Sequence, residues 1–253
     1  MFTKKIVSAI RAITGAPDPK NFTSAIIAAA GLSVRFGGET TKQKTDILGL
    51  PLLVYTLLAY ERTDCIHEIV IVARKEEIPY WQELCKKHSI TKLSKLVVGG
   101  KTRQESVRKG LDAVSKRSKY VAIADGARCL IEPEQITAVC RAAYKYGAAT
   151  AAHQSTDTVK IADSKGFVEK TQDRSSVWLA QTPQVFKTTL YRAAAYVALK
   201  EEFEGTDDNS LVEFIGHPVK LVECGTQNIK ITTKDDLAVA EGILRRRAAN
   251  KNC

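Results

Sequence analysis

A short run of small residues followed by two cations is the part of this sequence best suited to chemistry. Residues 28–31 read Ala-Ala-Ala-Gly and come directly after the apolar run at 24–27. Small side chains allow backbone N–H groups to approach a ligand closely, and such groups bind phosphate well. Arg35 and Lys42 follow and supply the positive charge that a polyphosphate requires. Since the spacing matches neither GxxxxGK[ST] nor GxGxxG, it predicts a nucleoside triphosphate site of another type.

A carboxylate that ends an apolar run is the second candidate for chemistry. Asp125 follows the run Tyr-Val-Ala-Ile-Ala at 120–124, which is typical of a buried strand. An ionised carboxylate in such a position is unfavourable unless it meets a cation or hydrogen-bond donors. Mg²⁺ commonly takes one or two carboxylates together with phosphate oxygens. Asp125 is therefore a candidate ligand of Mg²⁺ beside a bound nucleotide; the alternative is an Asp that only stabilises the following turn.

Apolar strands alternate with amphipathic helices along most of the chain. We predict strands at 24–29, 68–72, 95–98, 120–124 and 148–152, and helices at 51–61, 78–88, 103–116, 132–146, 188–198, 210–215 and 235–247. The alternation predicts an α/β fold with a Rossmann-like, mostly parallel sheet and helices on both faces. Ligands of such sheets bind beyond the carboxyl ends of the strands, where the loop at 28–42 and Asp125 are both expected.

Residues 1–21 precede this pattern and form a basic N-terminal extension. Apolar residues recur at helical spacing between Lys4 and Ile13, and a segment rich in Gly and Pro follows at 15–19. A basic amphipathic helix of this kind either contacts a membrane surface or packs on its own domain, and we expect the second. The chain contains no run of about 18 apolar residues, so no membrane-spanning helix is expected. Residues 22–253 are expected to form a single domain.

Residues 156–176 interrupt the alternation with a predicted β-hairpin arm. Two segments of alternating polarity, 158–161 and 167–170, flank the turn-rich tetrapeptide at 163–166. A hairpin that projects from an α/β core has little core of its own to bury. We therefore expect the arm to pack against a second subunit and to form a homodimer.

Composition narrows the classes of binding partner and the cellular compartment that we expect for this protein. The net charge of +10 favours anionic ligands, of which nucleic acid is one. No stripe of Lys and Arg interleaved with aromatic residues occurs, and aromatic residues make up only 7% of the chain, so nucleic-acid binding is not expected. The six cysteines show no metal-ligand spacing, and no secretory signal is recognised. Free thiols in a reducing cytoplasm are the simplest interpretation.

Motifs typical of one enzyme family follow each other in order through residues 22–246. They are the segments 28–36 with Lys42-Gln43, 99–107, 125–128, 157–160, 174–184, 206–208 and 228–232. Together they resemble the sugar-nucleotidyltransferases, and among these they are most similar to the 2-C-methyl-D-erythritol 4-phosphate cytidylyltransferases of the non-mevalonate isoprenoid pathway. One such motif is a weak signal, but several in register over nearly the whole chain are specific.

The resemblance implies a reaction and assigns roles to residues. The phosphate of 2-C-methyl-D-erythritol 4-phosphate attacks the α-phosphorus of CTP and releases pyrophosphate, and the implied catalytic residues are Arg35, Lys42 and Asp125, of which Asp125 also binds Mg²⁺. The implied CTP-binding residues are Ala28, Ala29, Ala30, Gly31, Arg35, Lys42, Gly100, Arg103, Ser106 and Gly126. Those implied for the polyol phosphate are Arg128, Thr158, Arg174, Thr182 and Lys230. The resemblance also implies that the arm forms the dimer interface and completes the neighbouring active site.

The sequence departs from the family pattern near these residues while keeping its charged side chains. In the loop, Ser33 replaces a glycine, Val34 an arginine, Thr41 a proline and Lys44 an aromatic residue. Further departures, Ala124, Gly126 and Cys129, lie in and beside the segment that corresponds to the Asp-Ala-Ala-Arg motif. They bear on loop geometry, on affinity for CTP and on turnover more than on the type of reaction.

Three alternatives remain open, and a fourth, a glucose 1-phosphate-type transferase for UTP or dTTP, is disfavoured because the later motifs fit it poorly. The nearest is a cytidylyltransferase for ribitol or glycerol phosphate, which would share the fold, the loop and the metal. The motif at 157–160, with Arg174 and Lys230, favours methylerythritol phosphate instead. A catalytically weak paralogue that binds nucleotide without turnover is consistent with the departures at Ser33 and around Asp125. A basic nucleic-acid-binding protein would bind oligonucleotides tightly and in a salt-sensitive manner.

Overall fold

The computed structural model describes residues 19–31 and 41–251, and the structural statements below concern these residues. Arg35, Ser33 and the rest of the segment 32–40 lie outside them. The predicted N-terminal extension also lies outside, apart from residues 19–21.

A seven-stranded sheet with the order β11-β7-β10-β6-β1-β4-β5 forms the centre of the protein. The described residues contain eleven strands, of which β2 with β3 and β8 with β9 form two separate two-stranded sheets. The strands are β1 (Thr23–Ala28), β2 (Asp46–Ile47), β3 (Leu50–Pro51), β4 (Glu68–Ala73), β5 (Leu93–Val98), β6 (Tyr120–Asp125), β7 (Ala148–Gln154), β8 (Lys160–Ala162), β9 (Val168–Thr171), β10 (Trp178–Lys187) and β11 (Lys220–Glu223). Within this sheet β10 runs antiparallel to both β6 and β7, and the other strands are parallel to one another. The predicted mostly parallel sheet is therefore confirmed.

Helices cover both faces of the sheet. They are α1 (Leu52–Arg62), α2 (Ile78–Lys87), α3 (Arg103–Ala113), α4 (Pro133–Tyr146), α5 (Thr188–Lys200), α6 (Asp208–Phe214) and α7 (Lys234–Lys251). Because side chains alternate along a strand, Ile27 and Ile71 pack with α1, α2 and α4, whereas Ile26 and Val72 pack with α3, α5 and α6. No helix in the described ranges combines the length and the apolar character needed to span a bilayer.

Two strands of the sheet, β10 and β11, are absent from the sequence-based prediction. The β10 segment contains Pro183, which lacks a backbone N–H and is normally excluded from central strands. The structure accommodates it where the pairing of β10 with β7 shifts register, between Ala180 and Gln184. The alternation of apolar residues does not reveal a register shift of this kind. A segment that contains a proline, such as β10, is therefore interpreted as a loop from sequence alone.

The arm is a β-hairpin, as its turn residues predict. β8 and β9 pair antiparallel, and Gly166 turns the chain with a φ of 85°, a conformation that glycine adopts without strain. The hairpin exposes apolar side chains: Phe167 is 71% exposed and Val168 is 61% exposed. Dimerisation through this arm stays a prediction.

Candidate active site

An open pocket of about 730 Å³ lies beyond the carboxyl ends of β1, β5 and β6. The described residues that line it come from the ends of β1, β4, β5 and β6, from the segments that follow these strands and from the segment that precedes α7: Ala28, Ala30, Gly31, Lys42, Gln43, Ala73, Arg74, Lys75, Glu76, Val98, Gly99, Gly100, Lys101, Thr102, Arg103, Ser106, Asp125, Ala127, Lys230 and Thr232. Lysines and arginines outnumber carboxylates in this wall by six to two. The pocket is therefore suited to a ligand with several negative charges.

Asp125 lies at the end of β6, where it is 8% exposed and surrounded by cations. Its Oδ1 lies 3.3 Å from Arg103 Nε, and its Oδ2 lies 2.9 Å from Lys230 Nζ and 3.9 Å from Arg128 Nε. Burial opposes ionisation of this carboxyl, but the three cations outweigh burial and lower its pKa to about 2. Asp125 is therefore a carboxylate throughout the physiological pH range.

Arg103 connects Asp125 to a second buried carboxylate. Its Nη2 lies 2.7 Å from Oδ2 of Asp208, which is fully buried at the first turn of α6. The hydroxyl of Tyr191 donates to the other oxygen of Asp208, and the backbone N–H of Asp208 donates to Gln184 Oε1 at 2.9 Å. Asp208 thus fixes the direction of the Arg103 guanidinium at the wall of the pocket.

Lys42 lines the pocket as well. It begins a short 3₁₀ helix, Lys42–Lys44, and its Nζ donates to the backbone carbonyl oxygen of Ile231 at 2.8 Å. Lys230, the residue before Ile231, contacts Asp125. The N–H of Ile231 donates to the carbonyl of Ala127 at 2.9 Å, so the segment is tied to the loop that follows Asp125. Lys42 and Lys230 are thereby held in one pocket.

A glycine pair after β5 forms the remaining wall. The Ser106 hydroxyl accepts from the N–H of Gly100 at 2.9 Å and donates to the carbonyl of Thr102 at 2.9 Å. The side chain of Thr102 caps α3 by accepting from the N–H of Glu105 at 3.0 Å. A Cβ atom at Gly100 would collide with the Glu105 side chain, so the loop requires glycine there. The absence of a side chain at Gly100 therefore allows the loop to pass close to the first turn of α3 beside the pocket.

Comparisons with known proteins show the family of the chain. The family model of 2-C-methyl-D-erythritol 4-phosphate cytidylyltransferase matches residues 23–246. The chain belongs to this family. A family enzyme from Caldanaerobacter subterraneus subsp. tengcongensis is 45% identical over 224 residues, which cover 88% of this chain and 99% of the relative. The predicted activity of the chain, a CTP-dependent cytidylyl transfer in isoprenoid biosynthesis, is confirmed by this membership, as is the predicted class of nucleotidyltransferase.

Solved structures of the family share the fold. The crystal structure of 4-diphosphocytidyl-2C-methyl-D-erythritol synthase from Anaerococcus prevotii is 34% identical, with a TM-score of 0.80, over 89% of this chain and 99% of that one. The 2-C-methyl-D-erythritol 4-phosphate cytidylyltransferase from Thermus thermophilus is 30% identical, with a TM-score of 0.73, over 88% and 99%.

Most of the residues that the family resemblance implies for CTP lie together. Ala28, Ala30, Gly31, Lys42, Gly100, Arg103 and Ser106 line the pocket. Ala29 and Gly126 lie just beneath it: the N–H of Ala29 donates to the carbonyl of Val72 at 2.8 Å, and the N–H of Gly126 donates to that of Ala28 at 2.9 Å. Arg35 lies outside the described residues.

The residues implied for the polyol phosphate fall into two groups. Lys230 lines the pocket, and Arg128 and Thr182 lie directly behind it, where the Thr182 hydroxyl accepts from the N–H of Asp125 at 3.0 Å. Thr158 and Arg174 belong to the arm and are exposed, and Arg174 Nη1 donates to the carbonyl of Thr156 at 3.3 Å. The arm residues do not line the pocket of their own chain.

Two buried polar residues behind the site were not among the predicted site residues. Asp208 holds Arg103, as described above. Asn228 Nδ2 donates to the backbone carbonyl of Thr182 at 2.9 Å, and the backbone carbonyl of Asn228 accepts from Arg128 Nη1 at 2.6 Å. Both residues stand in motifs that resemble the family, 206–208 and 228–232, and those motifs were the available signal.

The site can hold a metal ion only with the help of a ligand. Within the described residues, no group of three or more His, Cys, Asp or Glu side chains could bind a metal. Glu76, the other carboxylate in the wall, is 65% exposed in its side chain and pairs with Arg74 at 3.3 Å. Mg²⁺ needs few protein ligands when phosphate oxygens and water complete its shell. Asp125 therefore fits as one protein ligand of a Mg²⁺ that arrives with a triphosphate.

Proposed function

We propose that this chain joins CTP and 2-C-methyl-D-erythritol 4-phosphate in the pocket between β1, β5 and β6. The observation that carries the proposal is the ionised Asp125 held among Arg103, Lys230 and Arg128 at the ends of the strands. Two substrates that each carry phosphate must meet at this point, and a fixed group of cations lowers the repulsion between them. The catalytic unit in this proposal is a single domain of residues 22–253, and the seven-stranded sheet within the described residues supports it.

Catalysis in this proposal consists of positioning and charge stabilisation. An oxygen of the acceptor phosphate forms a bond to the α-phosphorus of CTP as the bond from that phosphorus to the pyrophosphate oxygen breaks. Lys42 and Arg35 bind the triphosphate and stabilise the charge that develops on the α-phosphate oxygens. The acceptor phosphate is already an anion and needs no general base. Asp125 therefore stays ionised and orients the cations around it.

The nucleotide is held by backbone as well as by charge. The small residues 28–31 and Gly100 present main-chain groups to CTP, and Ser106 fixes the loop that contains Gly100. Arg103 contributes its guanidinium from the first position of α3. Gly126 lies beneath this surface and allows the strand ends to approach each other.

The acceptor is held partly by its own chain and partly by the arm of a second chain. Lys230, Arg128 and Thr182 lie at or behind the pocket and bind the phosphate and hydroxyl groups of the polyol. Thr158 and Arg174 are exposed on the arm, so they serve the pocket of the partner in a homodimer. The exposed Phe167 supports this arrangement, because burial of its ring requires a partner.

Mg²⁺ completes the proposed site. Asp125 is the protein ligand, and the metal supplies further charge neutralisation at the triphosphate when it is bound. Removal of divalent ions with a chelator should abolish turnover. Addition of Mg²⁺ should restore it.

The test is release of pyrophosphate by the purified full chain with Mg²⁺ and each of the four nucleoside triphosphates. Acceptors are 2-C-methyl-D-erythritol 4-phosphate, ribitol 5-phosphate and glucose 1-phosphate. Release only with CTP and methylerythritol phosphate is expected. Release with ribitol phosphate in its place would keep the mechanism and replace the acceptor. Binding of CTP by a folded protein without release would instead support a weakened paralogue.

A further inference from the structure

A buried carboxylate outside the pocket is attached to the segment that presents Lys42. Glu77 ends the 3₁₀ turn Lys75–Glu77, which follows β4, and its side chain is only 1% exposed. Its Oε1 accepts a hydrogen bond from the Thr41 hydroxyl at 2.6 Å. The same oxygen lies 3.3 Å from Lys44 Nζ and 3.5 Å from Arg74 Nη2. One carboxylate therefore contacts two segments of the pocket wall.

The contacts of Glu77 fall on both sides of Lys42 in the sequence. Thr41 comes directly before Lys42, and Lys44 ends the same 3₁₀ helix. The ammonium of Lys44 also lies over the ring of Tyr80, 4.8 Å from its centroid, and Tyr80 belongs to the helix that begins next to Glu77. The backbone that bears Lys42 is thus fixed before and after that residue.

The electrostatic setting of Glu77 requires these partners. Burial of the carboxylate opposes its ionisation, but the Thr41 hydroxyl and the charges of Lys44 and Arg74 outweigh burial and lower its pKa. A buried carboxylate with fewer partners would be strongly unfavourable. Movement of the Lys42–Lys44 segment away from Glu77 is therefore opposed by the loss of a charge pair and a hydrogen bond.

The hydrogen bond between Thr41 and Glu77 depends on a residue by which this chain departs from the family pattern. The family often has a proline at this position, and proline has no hydroxyl to donate to Glu77. Proline restricts the backbone before Lys42 through its ring. In this chain the hydrogen bond to Glu77 takes over that restriction.

We propose that Glu77 is a positioning residue that holds Lys42 at the triphosphate through Thr41 and Lys44. The inference rests on the proposed role of Lys42 in the reaction. Glu77 does not touch the substrate, and its effect on the rate depends on the presence of the Lys42 side chain.

A double-mutant cycle between Glu77 and Lys42 tests this dependence. Glu77→Gln should reduce kcat about tenfold, because a small displacement of a catalytic group is sufficient for such a loss. In the Lys42→Ala background the same substitution should produce no further loss. Glu83→Gln, on the exposed face of α2, is the matched control and should leave kcat unchanged.

A second variant keeps the test independent of folding. Thr41→Val removes the hydroxyl, preserves the shape and all charges, and should lower kcat about threefold, since the hydrogen bond to the Glu77 carboxylate is lost while the contacts of Glu77 with Lys44 and Arg74 remain. Thermal unfolding of each variant is measured in parallel. If Glu77 had only a structural role, Glu77→Gln would lower the melting temperature. It would then also lower kcat by the same factor whether or not the Lys42 side chain is present.

The outcomes separate this inference from the proposed function. If Lys42→Ala lowers turnover but Glu77→Gln and Thr41→Val do not, the positioning role is wrong and the proposed function stands. Additive losses in the double variant also overturn the positioning role. If Lys42→Ala has no effect on turnover, the role of Lys42 and the inference built on it are both overturned.

Discussion

Lys42 donates a hydrogen bond to the backbone carbonyl oxygen of Ile231, with 2.8 Å between Nζ and the oxygen. This contact joins the loop after β1 to the segment that carries Lys230. The carbonyl oxygen of Ile231 is a neutral acceptor, and it fixes the direction of the Lys42 side chain at the pocket wall. Exchange of the neutral carbonyl for an anionic phosphate oxygen adds the attraction of a second, opposite charge to a hydrogen bond whose donor is already charged. The relationship therefore prepares Lys42 for an anionic ligand.

Replacement of Lys42 should affect catalysis and spare the fold. Lys42→Ala is expected to reduce kcat by more than tenfold, about 1.4 kcal/mol of activation free energy, because charge on the α-phosphate loses its partner. The measurement is pyrophosphate release together with urea unfolding, and Lys86→Ala on the exposed side of α2 is the control. A loss smaller than tenfold would contradict a catalytic role for Lys42.

The pairing of Asp208 with Arg103 gives a second prediction. Asp208→Asn removes the charge that directs the guanidinium, and the affinity for CTP should fall about tenfold, as for a lost charge-assisted hydrogen bond. Burial raises the pKa of Asp208 although Arg103 opposes this, so a neutral amide also relieves part of the unfavourable burial. Because Arg103 keeps its contact with Asp125, the free energy of unfolding should fall by less than the roughly 3–5 kcal/mol that loss of one partner of a buried ion pair costs.

Calorimetric titration with CTP and urea unfolding distinguish the two effects of Asp208→Asn. Glu213→Gln lies on the same helix, α6, at an exposed position and serves as the control. Unchanged affinity in Asp208→Asn would mean that Arg103 is positioned by Asp125 alone.

The fold and the centre of the site were accessible from the sequence because both depend on local patterns. The alternation of apolar strands and amphipathic helices predicted the mostly parallel sheet, and Asp125 follows one of its strands directly. The rule that ligands bind beyond the carboxyl ends of parallel strands then brings Asp125 and Lys42 to one edge. Both line the same pocket in the structure.

The supporting residues were not accessible in the same way because their partners are distant in sequence. Asp208 stands at the first turn of a helix, where an acidic residue is common for reasons unrelated to a ligand. Glu77 stands among charged residues and has the pattern of a solvated turn, yet its carboxylate is buried against Thr41. Only the tertiary structure shows that these two carboxylates hold Arg103 and the segment of Lys42.

The low pKa of Asp125 predicts how stability responds to acid. The pKa of its carboxyl is about 2 in the folded protein against an ordinary value of 3.8, so the unfolded chain binds this proton more tightly. The stabilisation is present in full above about pH 4 and is lost as the pH falls towards about 2, with a magnitude of about 2 kcal/mol. Urea unfolding between these pH values should show a steeper loss of stability in the wild type than in Asp125→Asn. Equal slopes in the two proteins would contradict the assignment.

The exposed apolar side chains of the arm predict a homodimer that depends on Phe167. This side chain is 71% exposed, and Phe167→Glu places a charge where a partner would bury the ring. Light scattering should show a dimer for the wild type and a monomer for the variant. Val239→Glu, at a 52% exposed position on α7, should remain dimeric.

If the arm also contributes Arg174 to the neighbouring pocket, the monomeric variant should lose affinity for the acceptor while keeping its affinity for CTP. A monomeric variant with unchanged kinetics for both substrates would confine the arm to assembly and place the whole acceptor site within one chain.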